Sequence, residues 1–368
     1  MNRSPVLLPF ALLTSLTGAG CTLSSSFSTS TSNGPSCHDV TPATGSDAGV
    51  VPPEPPGASA PAGGSTMLAI SRLYYGDTDR DGNPSADAWK QYGLDIDGKV
   101  TSTCSVDVCK PVGGAPTSIQ LDGDDGIDNS FGANALSLIQ LLDGKLPAEG
   151  DQSLAEGDAT MLVQLDGTGQ GASYAPFPGA LLRAASTLSP PRWDGTDVRD
   201  VDTLSLAGGS LSHPLASISG GYMSQRTWVG TPSTATAYLD LHFTIDGYPL
   251  PPVPIEHVRM VVKVGTDPAS TSSGTLAGVI RTSDAAAWTR LWASAAGDSL
   301  CAGSAGQAFV TQVEQMSDIM ADGSNGPGQT CDGISVGLGF DAVAVKLGEA
   351  KVVQAPPSPA LVACDGGT

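Results

Sequence analysis

Asp77, Asp79 and Asp81 stand at alternate positions and run directly into Gly82 and Asn83, and no other stretch of this chain combines residue type and spacing into so definite a chemistry. In Asp77-Thr78-Asp79-Arg80-Asp81-Gly82-Asn83, hard carboxylate oxygens can converge on one cation while glycine takes the sharp bend, which is the chemistry of calcium. Two further stretches echo it, Asp95-Ile96-Asp97-Gly98 and Asp122-Gly123-Asp124-Asp125-Gly126-Ile127-Asp128-Asn129. Between Asp77 and Asp166 there are 17 Asp and Glu against five Lys and Arg. Carboxylates at that density repel one another in a compact state, and a divalent cation relieves the repulsion. The expected metal ligands are Asp77, Asp79, Asp81, Asn83 and Asp87, completed from Asp97, Asp122, Asp124, Asp125 and Asp128. Asp-Gly turns also form for conformational reasons alone, and that reading suits Asp95-Ile96-Asp97-Gly98 and Asp166-Gly167 well. The expected calcium is structural, because nothing nearby reads as a nucleophile or a base.

The first loop resembles the Asp-x-Asp-x-Asp-Gly loops of dockerins, thrombospondin type 3 repeats and EF-hands. It departs from them where such loops close. The twelfth position is Ala88, and Asp87 comes one place early. A closing ligand is therefore expected from Asp87 in altered geometry, from Asp97, or from the Asp122 to Asp128 cluster, and an isolated EF-hand is not expected.

Other chemistries fail on spacing or order. Gly333-Ile334-Ser335-Val336-Gly337 has the form of a nucleophile elbow, and Gly297-Asp298-Ser299-Leu300 that of the Gly-Asp-Ser-Leu esterases. Both need a base histidine later in the chain. The four histidines, His38, His213, His242 and His257, all precede both serines. His242 and His257, near Asp240, Glu256 and Arg259, fall on the polar faces of expected strands, where such residues are common. No P-loop, dinucleotide glycine fingerprint or His-Glu-x-x-His is present. A net charge of -20 argues against nucleic acid, whose binding rests on Lys and Arg neutralising phosphates.

The elements that must carry these residues are mostly strands. Met67 to Tyr75 reads as a strand entering the first acidic loop, and Ala86 to Tyr92 as a short helix leaving it. Asn134 to Leu142 reads as a helix and Thr160 to Leu165 as a strand. The Gly- and Pro-rich span from Gly167 to Val201 gives no secure pattern. In Tyr238 to Asp246 and His257 to Val264, apolar residues alternate with polar ones, the mark of half-buried antiparallel strands. Their connection, Gly247 to Pro252, is too long for a tight hairpin. Leu276 to Arg281 reads as a strand leading to a helix capped by Ser283 and Asp284, whose Trp288 and Trp292 pack on the sheet. An amphipathic helix is expected over 306–321, and Ile334 to Lys346 gives one or two strands. The expected fold is mainly β, an antiparallel β-sandwich, jelly-roll-like, with a few short helices.

The chain opens with Arg3 and a short apolar run, Val6 to Leu13, too short to span a bilayer and typical of an export signal. Its end, Leu16-Thr17-Gly18-Ala19-Gly20-Cys21, resembles the lipobox of bacterial lipoproteins, with Gly18 where leucine is usual. The resemblance implies acylation of Cys21 and, with Thr22 following, an outer-membrane or surface destination; periplasmic or secreted is the alternative. The expected organisation is a signal over 1–21, a Ser/Thr/Pro/Gly-rich tether over 22–66, one β-rich domain over 67–353 containing the acidic region 77–129, and a Pro-rich tail over 354–368. The remaining cysteines, Cys37, Cys104, Cys109, Cys301, Cys331 and Cys364, suit disulfides in an oxidising compartment. The expected pairs are Cys104 with Cys109 and Cys301 with Cys331, leaving Cys37 for Cys364.

Leu73 to Gly82, Asp125-Gly126-Ile127-Asp128-Asn129-Ser130-Phe131-Gly132 and Cys331-Asp332-Gly333-Ile334-Ser335 together resemble a group of exported bacterial lipoproteins without a defined activity. The expected function is that of a membrane-anchored, calcium-stabilised, non-enzymatic lipoprotein in binding or envelope architecture, with a glycan or an envelope protein as partner. The alternatives are a carbohydrate-binding module using exposed Trp193, Trp228 or Tyr248, and a secreted hydrolase using Asp or Glu at a separation set by the fold.

Overall fold

The computed structural model describes residues 52–57, 59 and 63–353, apart from 143–145, 159, 168–172, 188, 231–235, 240–243, 246–247, 250–251, 268–269 and 297–303. All of these belong to one compact unit, Thr41–Thr368. The expected signal, the acylated Cys21, Cys37, Cys301, Cys364, His38, Asp240, His242, the Gly-Asp-Ser-Leu pattern and the tail lie outside the described residues.

The unit is mainly β and antiparallel, as expected. Its strands are β1 (Thr66–Tyr74), β2 (Met161–Leu165), β3 (Gly179–Arg183), β4 (Val198–Asp202), β5 (Ala216–Ile218), β6 (Tyr222–Ser224), β7 (Thr227–Gly230), β8 (Thr236–Leu239), β9 (Thr244–Ile245), β10 (Tyr248–Pro249), β11 (Val253–Lys263), β12 (Ser272–Arg281) and β13 (Gly333–Lys351). Eleven strands share one sheet in the order β5-β3-β2-β1-β13-β12-β11-β7-β6, with β4 added to β13 and β8 to β11. The sheet curls so that the two ends of this order meet. Only three residues separate β5 from β6, and the chain entering β3 bonds to that connection and to β6: Phe177 N–H donates to Gly221 O at 2.5 Å, and Tyr174 and Met223 exchange two bonds of 2.8 Å. The inner face holds the main core, to which β1 gives Leu68 and Ile70, β11 gives Met260 and Val262, and β13 gives Leu338 and Phe340. The two layers expected of a sandwich are thus opposed parts of one sheet.

Two bulges keep long strands in phase with that core. In β1, Leu68 and Ile70 face inward, and so do Leu73 and Tyr75, an odd offset that a regular strand cannot give. The register against β13 shifts between Ile70 and Arg72, which absorbs the extra residue. In β11 the same device sits at His257, with φ 52°, between the inward pairs Val253, Ile255 and Val258, Met260.

Among the described residues the α-helices are α1 (Leu136–Leu142), α2 (Leu146–Glu156), α3 (Thr282–Ala296) and α4 (Ser304–Glu314). Trp288 and Trp292 of α3 pack on the main core as expected, and Trp292 also meets Phe309 of α4 edge-on at 6.4 Å. Three expectations need correction. Of the strand expected over Tyr238 to Asp246, the two described parts pair differently: β8 pairs with β11, whereas β9 and β10 form a separate tight ribbon with Ile245 opposite Tyr248. The helix expected over 306–321 ends at Glu314. There the chain turns and carries Asp318 inward to Ser335. Finally, Cys109 pairs with Cys331, which rules out Cys104–Cys109 and Cys301–Cys331. Cys104 is also in a disulfide.

The expected tether is not free throughout. Ser59 exchanges backbone bonds with Ala175 at 3.0 and 3.1 Å, so ordered contact with the domain begins before Met67.

Candidate metal centre

The acidic region folds as two layers of turns against β13, and the first loop is held by its own residues. Asp79 accepts the N–H groups of Asp81 at 3.0 Å and Asn83 at 2.8 Å, and Asn83 Nδ2 at 3.0 Å. Those bonds hold its carboxyl below the ordinary value. Arg80 reaches inward from the same loop, donating to Gly274 O at 2.8 Å and Phe340 O at 3.3 Å, with its guanidinium 5.5 Å from the rings of both Tyr74 and Tyr92. Asp87 pairs with Lys90 at 2.6 Å, and Asp81 and Asn83 are exposed. Asp77 Oδ2 accepts from Gln140 at 3.0 Å, while its Oδ1 is buried without a hydrogen-bond partner. The structure does not bring Asp77, Asp79 and Asp81 to a common point; the loop is a clasp organised by Asp79 and Arg80.

Convergence occurs in the second layer. Among the described residues, the Asp95, Asp97 and Asp128 carboxylates alone gather within 4.8 Å of one another. Asp95-Ile96-Asp97-Gly98 is a turn in which Gly98, at φ 78°, donates to Asp95 Oδ1 at 2.6 Å and Lys99 N–H to Asp97 Oδ1 at 2.7 Å. This folding sets both carboxylates on one side. Asp128 comes from the turn after Gly126, whose φ of 84° and closeness to Lys99 O leave no room for a side chain. Asp128 Oδ2 then accepts Ile96 N–H at 2.6 Å and Asp97 N–H at 3.3 Å.

Around this triad stand Asp122, which accepts Thr101 N–H at 2.5 Å, and Asp318, which accepts from Ser335 N–H at 2.8 Å and Ser335 Oγ at 2.5 Å. Burial pushes the Asp122 carboxyl up to about 9 and that of Asp318 to about 7, with neighbouring carboxylates adding to both. Asp128 is driven well above its ordinary value by burial first and then by Asp97, Asp122 and Asp318. Asp95 is raised by burial, against the pull of Gly98 N–H and Arg259. The donor set is therefore oxygen-only, crowded and under-compensated, which suits a hard divalent cation. The Thr101 hydroxyl, on the residue whose backbone pairs with Asp122, is buried and has no hydrogen-bond partner. Asn325 closes the far side, donating to Asp97 Oδ2 at 2.8 Å and accepting Cys109 N–H at 2.6 Å beside the disulfide.

Of the sequence-predicted ligands, the structure gathers Asp97 and Asp128, with Asp122 adjoining. Asp124 and Asp125 lie in the preceding turn, Asp125 at φ 54°. Asp95 was readable as the first member of an Asp-x-Asp-Gly turn but passed as a conformational motif. Asp318 had no local signal, being brought in from 190 residues beyond Asp128 in sequence.

The remaining motifs are structural. Asn129 is 1% exposed; it donates to Trp89 O and Tyr92 O and accepts Gly132 and Gly337 N–H, joining the turn at 89–92, its own turn and β13. Ser335 is fully buried within β13 and accepts Ser130 N–H at 2.8 Å, so it is no elbow nucleophile. Trp228, expected as an exposed sugar platform, is fully buried, its Nε1 donating to Phe177 O at 3.0 Å. Trp193 is partly buried under β4, 6.0 Å from the Arg199 guanidinium. No protein-family model, curated protein or solved structure matches the chain significantly.

Proposed function

We propose that this chain is an exported lipoprotein, anchored through Cys21, whose β-rich domain is stabilised by calcium and serves in binding or envelope architecture. The observation that carries the calcium reading is the gathering of Asp95, Asp97 and Asp128 within 4.8 Å, where the Arg259 guanidinium donates to the Asp95 carbonyl. Asp95, Asp97 and Asp128 would hold the ion, and Asp122 would stand beside them. The ion would neutralise buried like charge and so fix the turn at 95–98, the turn at 122–128 and, through Asn325, the segment next to Cys331. The location rests on the signal and lipobox pattern of Met1 to Cys21.

Calcium uptake by the purified mature chain, followed by isothermal titration in chelator-treated buffer, tests the metal reading. One saturable site that disappears in the Asp95→Asn, Asp97→Asn variant is expected. No uptake at millimolar calcium would end it. The anchor is tested separately: Cys21→Ser is expected to move the protein from the membrane fraction to the soluble exported fraction, and unchanged fractionation would contradict it.

A further inference from the structure

Pro52-Pro53-Glu54-Pro55-Pro56 lies on the domain in a regular way. Pro53 and Pro56 are half-buried, whereas Pro52, Glu54 and Pro55 are exposed. A burial period of three is that of the polyproline II helix, which has three residues per turn and leaves its carbonyls free to accept. One of them does: the Tyr222 phenol donates to Pro53 O at 2.7 Å. Burial, and then the Glu54 carboxylate, push that phenol up, which favours its protonated, donating form. Three residues beyond Pro56 the contact changes character. Ser59 makes a single antiparallel bridge with Ala175, while the adjacent Tyr174 pairs with Met223 of β6 on the other side.

We propose that the edge formed by Tyr222 and Ala175 is a binding site for an extended proline-rich peptide, filled in cis by Pro53 to Pro56 and Ser59 and able to exchange this strap for a proline-rich segment presented in trans. The edge combines two recognition modes: a phenolic donor to a polyproline II carbonyl, and backbone pairing with a strand edge. Both read a rigid, extended chain, and proline lowers the entropy lost when such a chain binds. The cis strap competes at high effective concentration because only a short connection joins it to β1. A trans ligand therefore binds measurably once the strap is loosened.

The test uses the full chain and a fluorescent peptide matching residues 50–61, titrated by anisotropy. Binding is expected to be at least about tenfold tighter to a Pro53→Gly, Pro56→Gly variant than to wild type, and adding Tyr222→Phe to that variant is expected to weaken it by about tenfold. Equal binding to wild type and the loosened variant, no binding to either, or indifference to Tyr222→Phe would overturn the proposal. Hydrogen exchange on the wild-type chain gives a readout that needs no variant. Excess peptide is expected to alter protection at the Ser59 and Ala175 amides, and an unchanged pattern at saturating peptide would contradict exchange of the strap.

Discussion

Asp128 Oδ2 accepts the Ile96 backbone N–H at 2.6 Å, so a carboxylate that is almost wholly buried is fixed onto the turn that presents Asp95 and Asp97. That bond makes the two Asp-rich echoes one unit. It also separates them from the loop at 77–83, where Asp79 accepts three bonds from within the loop and Asp77 is held by Gln140.

The two acidic layers should therefore respond differently to mutation. Asp79→Ala removes the acceptor for three donors of its loop, and a small loss of stability is expected, the same with calcium and with chelator. Denaturant titrations in both buffers check this. A calcium-dependent loss would return the first loop to the metal site.

Arg80→Ala should cost more, about 2–4 kcal/mol, because it strips the donors from Gly274 O and Phe340 O and the packing from Tyr74 and Tyr92. Calcium affinity, read by titration on the folded variant, is expected to stay within about threefold of wild type.

Without metal, stability should fall as pH rises. The folded-state carboxyls of Asp122, near 9, Asp318, near 7, and Asp128 lie above their unfolded value near 4. Raised carboxyls contribute stability that is fully present below the unfolded value and is lost as pH climbs through the folded ones, here between about 4 and 9. Bound calcium requires the ionised forms and reverses the trend, so the calcium increment should grow across that window. Melts in chelator and in calcium at about pH 5, 7 and 9 measure it; a calcium increment that is flat with pH would contradict it.

The Cys109–Cys331 bond spans 222 residues of sequence, and in the chain-entropy picture a loop of that length stabilises by about 5 kcal/mol. Replacing both cysteines by alanine should lower stability by about 2–5 kcal/mol. Peptide mapping without reductant should recover the segments around Cys109 and Cys331 as one linked species, and a Cys104–Cys109 link would refute the pairing.

How much of this was legible follows from which signals are local. The alternation in β11 was plain from His257 onward because the bulge there restarts the phase; before it, Val253 and Ile255 belong to the opposite parity. The turns at 95–98 and 122–128 were readable from Asp and Gly, and their partnership was open, since it depends on the Asp128 to Ile96 bond made through the fold. In the first loop the residue types suit a cation, and the sequence carried no sign that Asp79 accepts three bonds from its own loop or that Arg80 bonds to β12 and β13. Helix 306–321 was overextended because Met316 and Ile319 keep helical spacing; the buried bonds between Asp318 and Ser335 decide otherwise. Disulfide pairing by sequence proximity failed for the same reason: Cys109 and Cys331 are neighbours only once the acidic turns lie on β13.

The most direct measurement is the melting temperature of the full chain with about 10 mM calcium and with chelator. At affinities of about 10⁻⁴–10⁻³ M, binding adds about 1.4–2.7 kcal/mol, a rise of a few degrees. The account predicts that rise in wild type and in an Asp79→Asn, Asp81→Asn variant, and its loss in an Asp95→Asn, Asp97→Asn variant. A rise that survives loss of Asp95 and Asp97, or no rise in wild type, would contradict it.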